Sequence, residues 1–243
     1  MSLQLLILIG VGVILIAVLI RLYPMIYIGL ARLIFGKYSS RYFAVYKRTT
    51  KQSPYPYCIK DDFINYIAGF YNKKPSIQVF DSPFEITFLD TNFGSSFKSV
   101  RKNYKKPFCI NSNRLNQFDL KVLGYKDALF TVEMKKYYFF VDGSFFLGQL
   151  SFKNPEKDSI DKIIGVIRKK YLPDQKPESD RFIINGKNET YLYCHYNGFH
   201  LSISYISRAR EDISKKIDDY WGESTSLELG RQSSLEEELM EKL

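Results

Sequence analysis

Histidine, cysteine and tryptophan are scarce in this chain of 243 residues, which has two, three and one of them. The cysteines, Cys58, Cys109 and Cys194, stand singly with no C-x-x-C spacing. An odd and sparse set suits a reducing compartment better than a disulfide framework, and it reads as three small core residues. The two histidines, His195 and His200, lie in no His-Glu metal motif, and no phosphate loop or nucleophile motif accompanies them. Cys194 and His195 are adjacent on a strand pattern, so they point to opposite faces and form no dyad. The reading is of a non-enzymatic protein without metal or cofactor.

Acid is missing from the first 60 residues, where the chain carries much of its charge excess. The net charge is +9, and seven of the 35 basic residues lie between 21 and 51, with the first carboxylate at Asp61. Residues 52–243 then hold 28 basic and 26 acidic side chains, a balance of +2. Such a distribution excludes a duplex-binding face and implies no nucleic-acid partner. It points instead to anionic lipid contact beside a membrane, through Arg21, Arg32, Lys37, Arg41, Lys47 and Arg48.

What is present begins with "LQLLILIGVGVILIAVLI", residues 3–20, uncharged throughout. At about 1.5 Å per residue it is long enough to cross a bilayer core. No basic n-region precedes it, so it reads as a retained anchor (1–23) and not a cleaved signal. With the cations on its C-terminal side, the charge rule places the N-terminus outside and the globular part in the cytoplasm. After Pro24, "MIYIGLARLIF" reads as an interfacial continuation, and residues 37–57, ending in "SPYPY", as a linker. Together they make a basic segment over 24–57.

Aromatic residues are plentiful, with 19 Tyr and 19 Phe, so a packed core is expected over 58–221. A capped helix is expected at 63–72, then extended runs "SIQVF" and "FEITFLD" around Pro83. In "FGSSFKSVRKNYKKP", Ser95 or Ser96 caps a two-turn helix with Phe97, Val100, Arg101 and Tyr104 on one side, stopped by Pro107. Three strands follow, "FDLKVLGY", "ALFTVEMKKYYFFV" and "SFFLGQLSF", the last two meeting at Asp142-Gly143. The plan then recurs. "DSIDKIIGVIRKKYLP" is an amphipathic helix, and "RFIING", "TYLYCHYN" and "FHLSISYIS" are strands, the last two meeting at Asn197-Gly198. The expected fold class is α+β. An antiparallel sheet is built from two helix-plus-β-meander units, 86–152 and 158–207, with both helices on one face. A helix follows in "REDISKKIDDYW", and residues 222–243 form a polar tail with a short amphipathic helix.

The Gly-Ser-Ser-Phe-x-x-Val helix, the Lys-Pro stop, the strand ending in Leu-Gly-Tyr and the meander around "FFVDGSFFLGQLSF" resemble the BLIP-like fold. That grouping includes the β-lactamase inhibitor protein and the SmpA/OmlA envelope lipoproteins. The resemblance is best over 86–152 and implies this architecture and a binding role. The chain departs from those exported proteins in lacking a lipidated cysteine at its start.

Two-residue turns at Gly143 and Gly198 would pair Phe140 with Phe145, Tyr138 with Leu147 and His195 with His200. Only one sheet face can meet the helices, so the other would keep aromatic side chains as a platform for a protein partner. Its expected members are Tyr138, Phe140, Phe145, Leu147, Tyr191, Tyr193, His195 and His200. Replacing Phe145 or Tyr193 by Ala is expected to weaken binding and spare folding. The functional expectation is a membrane-anchored inhibitor of immunity type or accessory subunit, the alternative an assembly or scaffold component of a membrane complex.

Overall fold

The computed structural model describes residues 3–56, 58, 77–104, 106–114, 118–175, 177 and 179–219. The expected helices at 63–72 and in the 222–243 tail lie outside them. The chain divides into two compact units between Pro56 and Tyr57.

The first unit is a helical hairpin. Helix α1, Leu3–Phe35, runs unbroken through Pro24, so the segment expected to be interfacial after that residue continues the same helix. At about 1.5 Å per residue its 33 residues span roughly 50 Å, and it is long and apolar enough to cross a membrane. Gly36, at φ +76°, closes it by returning its N–H to the Arg32 carbonyl. Residues expected as linker instead form α2, Ser40–Thr50, whose N-cap Ser39 accepts the Tyr42 N–H at 3.0 Å. The two helices pack on each other, and Ala31 and Tyr42 are buried. Tyr55 is buried too, stacked on Phe43 and donating its hydroxyl to the Lys37 carbonyl at 2.6 Å.

The second unit is α+β and carries an eight-stranded mixed sheet. Its strands are β1 (Gln78–Glu85), β2 (Cys109–Arg114), β3 (Asp119–Leu129), β4 (Val132–Val141), β5 (Ser144–Lys153), β6 (Arg181–Lys187), β7 (Thr190–Tyr196) and β8 (His200–Ser207). They lie in the order β1-β6-β7-β8-β5-β4-β3-β2. All neighbours are antiparallel except β1 and β6, which run parallel, so the wholly antiparallel sheet expected is corrected at that edge. No hairpin constrains β1, because more than 90 residues separate it from β6. The run before β3 is a strand as well, so the first set of consecutive strands has four members.

Helix α3, Phe97–Tyr104, starts where Ser96 Oγ accepts the Ser99 N–H, and it buries Val100. Helix α4, Lys157–Tyr171, buries Ile160, Ile163, Ile164, Ile167 and Tyr171 along one side. A further helix, α5, covers residues 211–219. Residues 86–91 do not extend β1. They carry Ile86 and Phe88 into the core, where Phe88 lies against Gly148 and meets Tyr138, Phe145 and Tyr205 at ring separations of 5.0–5.7 Å. The opposite sheet face holds a second cluster, in which Leu120, Val122, Phe139, Phe146, Leu147 and Ile206 are covered by Ile213 and Ile217 of α5. Each large side chain so buried contributes about 1.5–3 kcal/mol. Both faces of the first hairpin are therefore core.

Cysteine use also departs from expectation. Cys58 and Cys109, 51 positions apart in sequence, are joined by a disulfide, with Cα atoms 5.0 Å apart. Cys194 alone is a free thiol, and it is buried. Three isolated singlets could not disclose this pairing, because it depends on how the chain at 58 returns to β2.

Candidate functional site

Five of the eight residues expected on the aromatic platform are buried. Tyr138, Phe140 and Phe145 are 0–1% exposed and point toward α3 and the 86–93 segment. Phe97 packs edge-on to Phe140 at 5.2 Å, and Tyr104 lies 5.2 Å from Tyr138. Leu147 is also fully buried, but on the other face. The cause is a β-bulge: Phe140 pairs with Phe145 and Phe139 with Leu147, leaving Phe146 as the extra residue. One inserted residue reverses the facing of everything beyond it. These four residues form core and not a platform.

The second hairpin keeps its facing but shifts its register. Tyr196 pairs with Leu201 and His195 with Ser202, so the two histidines are not directly opposed. Asn197 makes the difference: its side-chain oxygen accepts the N–H groups of Phe199 and His200 and closes a longer loop. Tyr193 is buried, stacks on His195 at 5.9 Å, and accepts a hydrogen bond from Arg181 Nε at 3.2 Å. Tyr191 is half-buried against the α5 cluster, and His200 Nε2 lies 3.3 Å from Ser151 Oγ. Burial lowers the pKa of His195, with Arg181 and His200 adding to the effect; burial and then Lys135 lower that of His200. No group of three metal-ligating side chains occurs among the described residues. The six cations assigned to lipid contact are all exposed; Arg41 lies over the Phe35 ring at 5.5 Å and Lys37 over Tyr38 at 5.7 Å.

A cleft not foreseen from the sequence opens at one end of the sheet. Its volume is about 240 Å³. Half-buried Phe93 contributes aromatic surface, with the buried Phe145 stacked behind it at 5.3 Å, while Glu85, Thr87, Asn92, Asn188 and Arg210 supply polar groups. Local hydrogen bonds shape it. Gly94, at φ +84°, donates its N–H to the Phe145 carbonyl, and Phe145 N–H returns to Ser95. Arg210 donates to Ser144 Oγ at 3.0 Å and chelates Asp212 through Nε and Nη2 at 3.1 and 2.6 Å. That guanidinium holds the Asp212 carboxyl below its ordinary value. The lining contains neither histidine nor cysteine nor lysine. Its residues come from four stretches between positions 85 and 213, a dispersal that leaves no local motif.

No family model, no curated protein and no solved structure matches the chain.

Proposed function

We propose that the protein is a membrane-anchored, non-enzymatic binding module that holds a protein partner at the cleft of its α+β unit. The observation that carries this reading is the cleft's size and chemistry. Sites that enclose a whole small molecule usually measure about 300–1,000 Å³, and this one is smaller. It suits one apolar side chain set on Phe93, with the partner's backbone polar groups reaching Thr87, Asn92 and Asn188. Hydroxyls, amides, the Glu85 carboxylate and a guanidinium already paired with Asp212 can recognise and orient a partner's polar groups. An inhibitor of immunity type or an accessory subunit fits this role, as does the likeness to BLIP-like modules. The same reading takes the sheet as two helix-plus-meander units, 86–152 and 158–207, set edge to edge.

The anchor belongs to this function. Helix α2 folds back along the last turns of α1 and brings Arg41, Lys47 and Arg48 beside them, so those turns suit the headgroup layer. The hydrocarbon core is then left to residues 3–20, with anionic lipids meeting the cations beyond. The scaffold reading is favoured by one observation, the exposed apolar side chains Ile16, Leu19 and Ile20 of α1, which a neighbouring membrane helix would cover.

Affinity capture of the full chain from native membranes tests the proposal. Asn92→Ala with Asn188→Ala changes two exposed cleft residues, and recovery of the principal partner should fall about 5–100-fold, as for loss of one or two anchoring contacts. Undiminished recovery would refute the cleft. Loss of every partner on removal of residues 1–36 alone would favour the scaffold.

A further inference from the structure

The redox state of Cys58 and Cys109 bears on the side of the membrane that the α+β unit faces. Three features make this pair a built site. Cys58 N–H donates to the buried Asn111 side-chain oxygen at 2.5 Å, so a hydrogen bond independent of sulfur holds the chain at 58 against β2. Cys109 is opposite Gly124 on β3, and a Cβ at Gly124 would meet the Cys109 sulfur at 2.2 Å and the Phe108 ring at 2.9 Å. Glycine inside a strand weakens it and marks a close approach; here it makes room for the sulfur. Finally, the third thiol cannot compete. Cys194 is fully buried, pairs in register with Phe182 and Ile203 far across the sheet, and burial pushes its pKa up, which disfavours the reactive thiolate.

We infer that Cys58 and Cys109 are oxidised to a disulfide in the mature protein and that the α+β unit faces an oxidising compartment. Structural disulfides persist in such compartments and are reduced in the cytosol. This is the reverse of the orientation expected from charge. The flanking cations also have a second use: Lys37 and Arg41 lie over aromatic rings, an arrangement suited to the headgroups of either leaflet. The bond forms by exchange with a protein disulfide of the oxidoreductase class. One thiolate of the pair attacks that disulfide, giving a mixed disulfide and releasing one oxidoreductase thiol. The other then attacks the mixed disulfide, closing Cys58–Cys109 and releasing the second thiol. Two protons and two electrons leave the cysteine pair, and the oxidoreductase is reduced to its dithiol.

The test uses the full chain in native membranes, acid-quenched, denatured, and labelled with a maleimide of defined mass before and after reduction. One labelled thiol before reduction and three after is expected. Three before reduction would overturn the disulfide. In parallel, alkaline phosphatase, which needs an oxidising compartment, is fused after Leu243. Activity is expected; an inactive fusion together with a fluorescent cytoplasmic reporter at the same position would overturn the orientation. Cys58→Ser should leave two labelled thiols without reduction, and a count of none would show a Cys109–Cys194 bond and overturn the assignment.

Discussion

His195 and His200 sit on one face of the sheet, each half-buried and each beside a cation. Their lowered pKa values mean that the unfolded chain takes up protons first as pH falls. An unperturbed imidazole titrates near pH 6.5. The stability they carry is therefore complete above that value and is lost as pH falls from it toward the lower folded values. Urea midpoints should fall between pH 7.5 and 5.5, and the slope should flatten in a His195→Gln, His200→Gln variant. An unchanged slope would show that neither ring titrates differently in the fold. Tyr193 belongs with them, held by Arg181 and stacked on His195, so its loss would be felt in stability before binding.

At the scale of elements, the bulge in β5 has the largest consequences. It sends Phe145 toward Phe88, Phe93 and Tyr138 and turns Leu147 toward α5. Phe145→Ala should therefore destabilise the unit by about 3–5 kcal/mol, the usual result of truncating a core phenylalanine. This replaces the expectation that the variant would spare folding. Denaturant unfolding measures it directly. Gly148 is the matching close approach: a Cβ there would meet three atoms of the Phe88 ring at 2.3–2.5 Å. Overpacking of this kind costs about 1–3 kcal/mol, so Gly148→Ala should lower the urea midpoint while leaving the chain folded. The turns need less comment. Asp142 and Gly143 both adopt positive φ, as a primed hairpin turn requires.

For the whole molecule, one covalent bond joins residues 51 positions apart and closes the loop between them. On the chain-entropy model a loop of that size contributes about 4 kcal/mol, a large share of the roughly 5–15 kcal/mol that stabilises an ordinary domain. Reduction should shift unfolding of the α+β unit to lower urea by a corresponding amount and leave the α1–α2 hairpin unaffected, since both cysteines lie after Pro56. Equal stability with and without reductant would show that the bond closes no entropic gap. The long apolar helix is a separate matter of length and hydropathy, legible in residues 3–20 before any folding.

Much of this protein is written in local pattern. The apolar run of α1, the Ile160–Ile167 stripe of α4, the serine cap of α3 and the Asp142-Gly143 turn each depend on residues a few positions apart, and periodicity reports such neighbours. The same holds for the alternation of Leu192, Cys194 and Tyr196 against Tyr191, Tyr193 and His195. What the tertiary structure decided involves residues far apart or a single inserted one. The bulge at Phe146 could not be seen because both faces of that hairpin are apolar, so alternation carried no information about facing. The parallel seat of β1, the disulfide and the cleft each join segments more than 50 residues apart. Their pairing is set by which surfaces meet when the core closes, and no short stretch of sequence contains that choice.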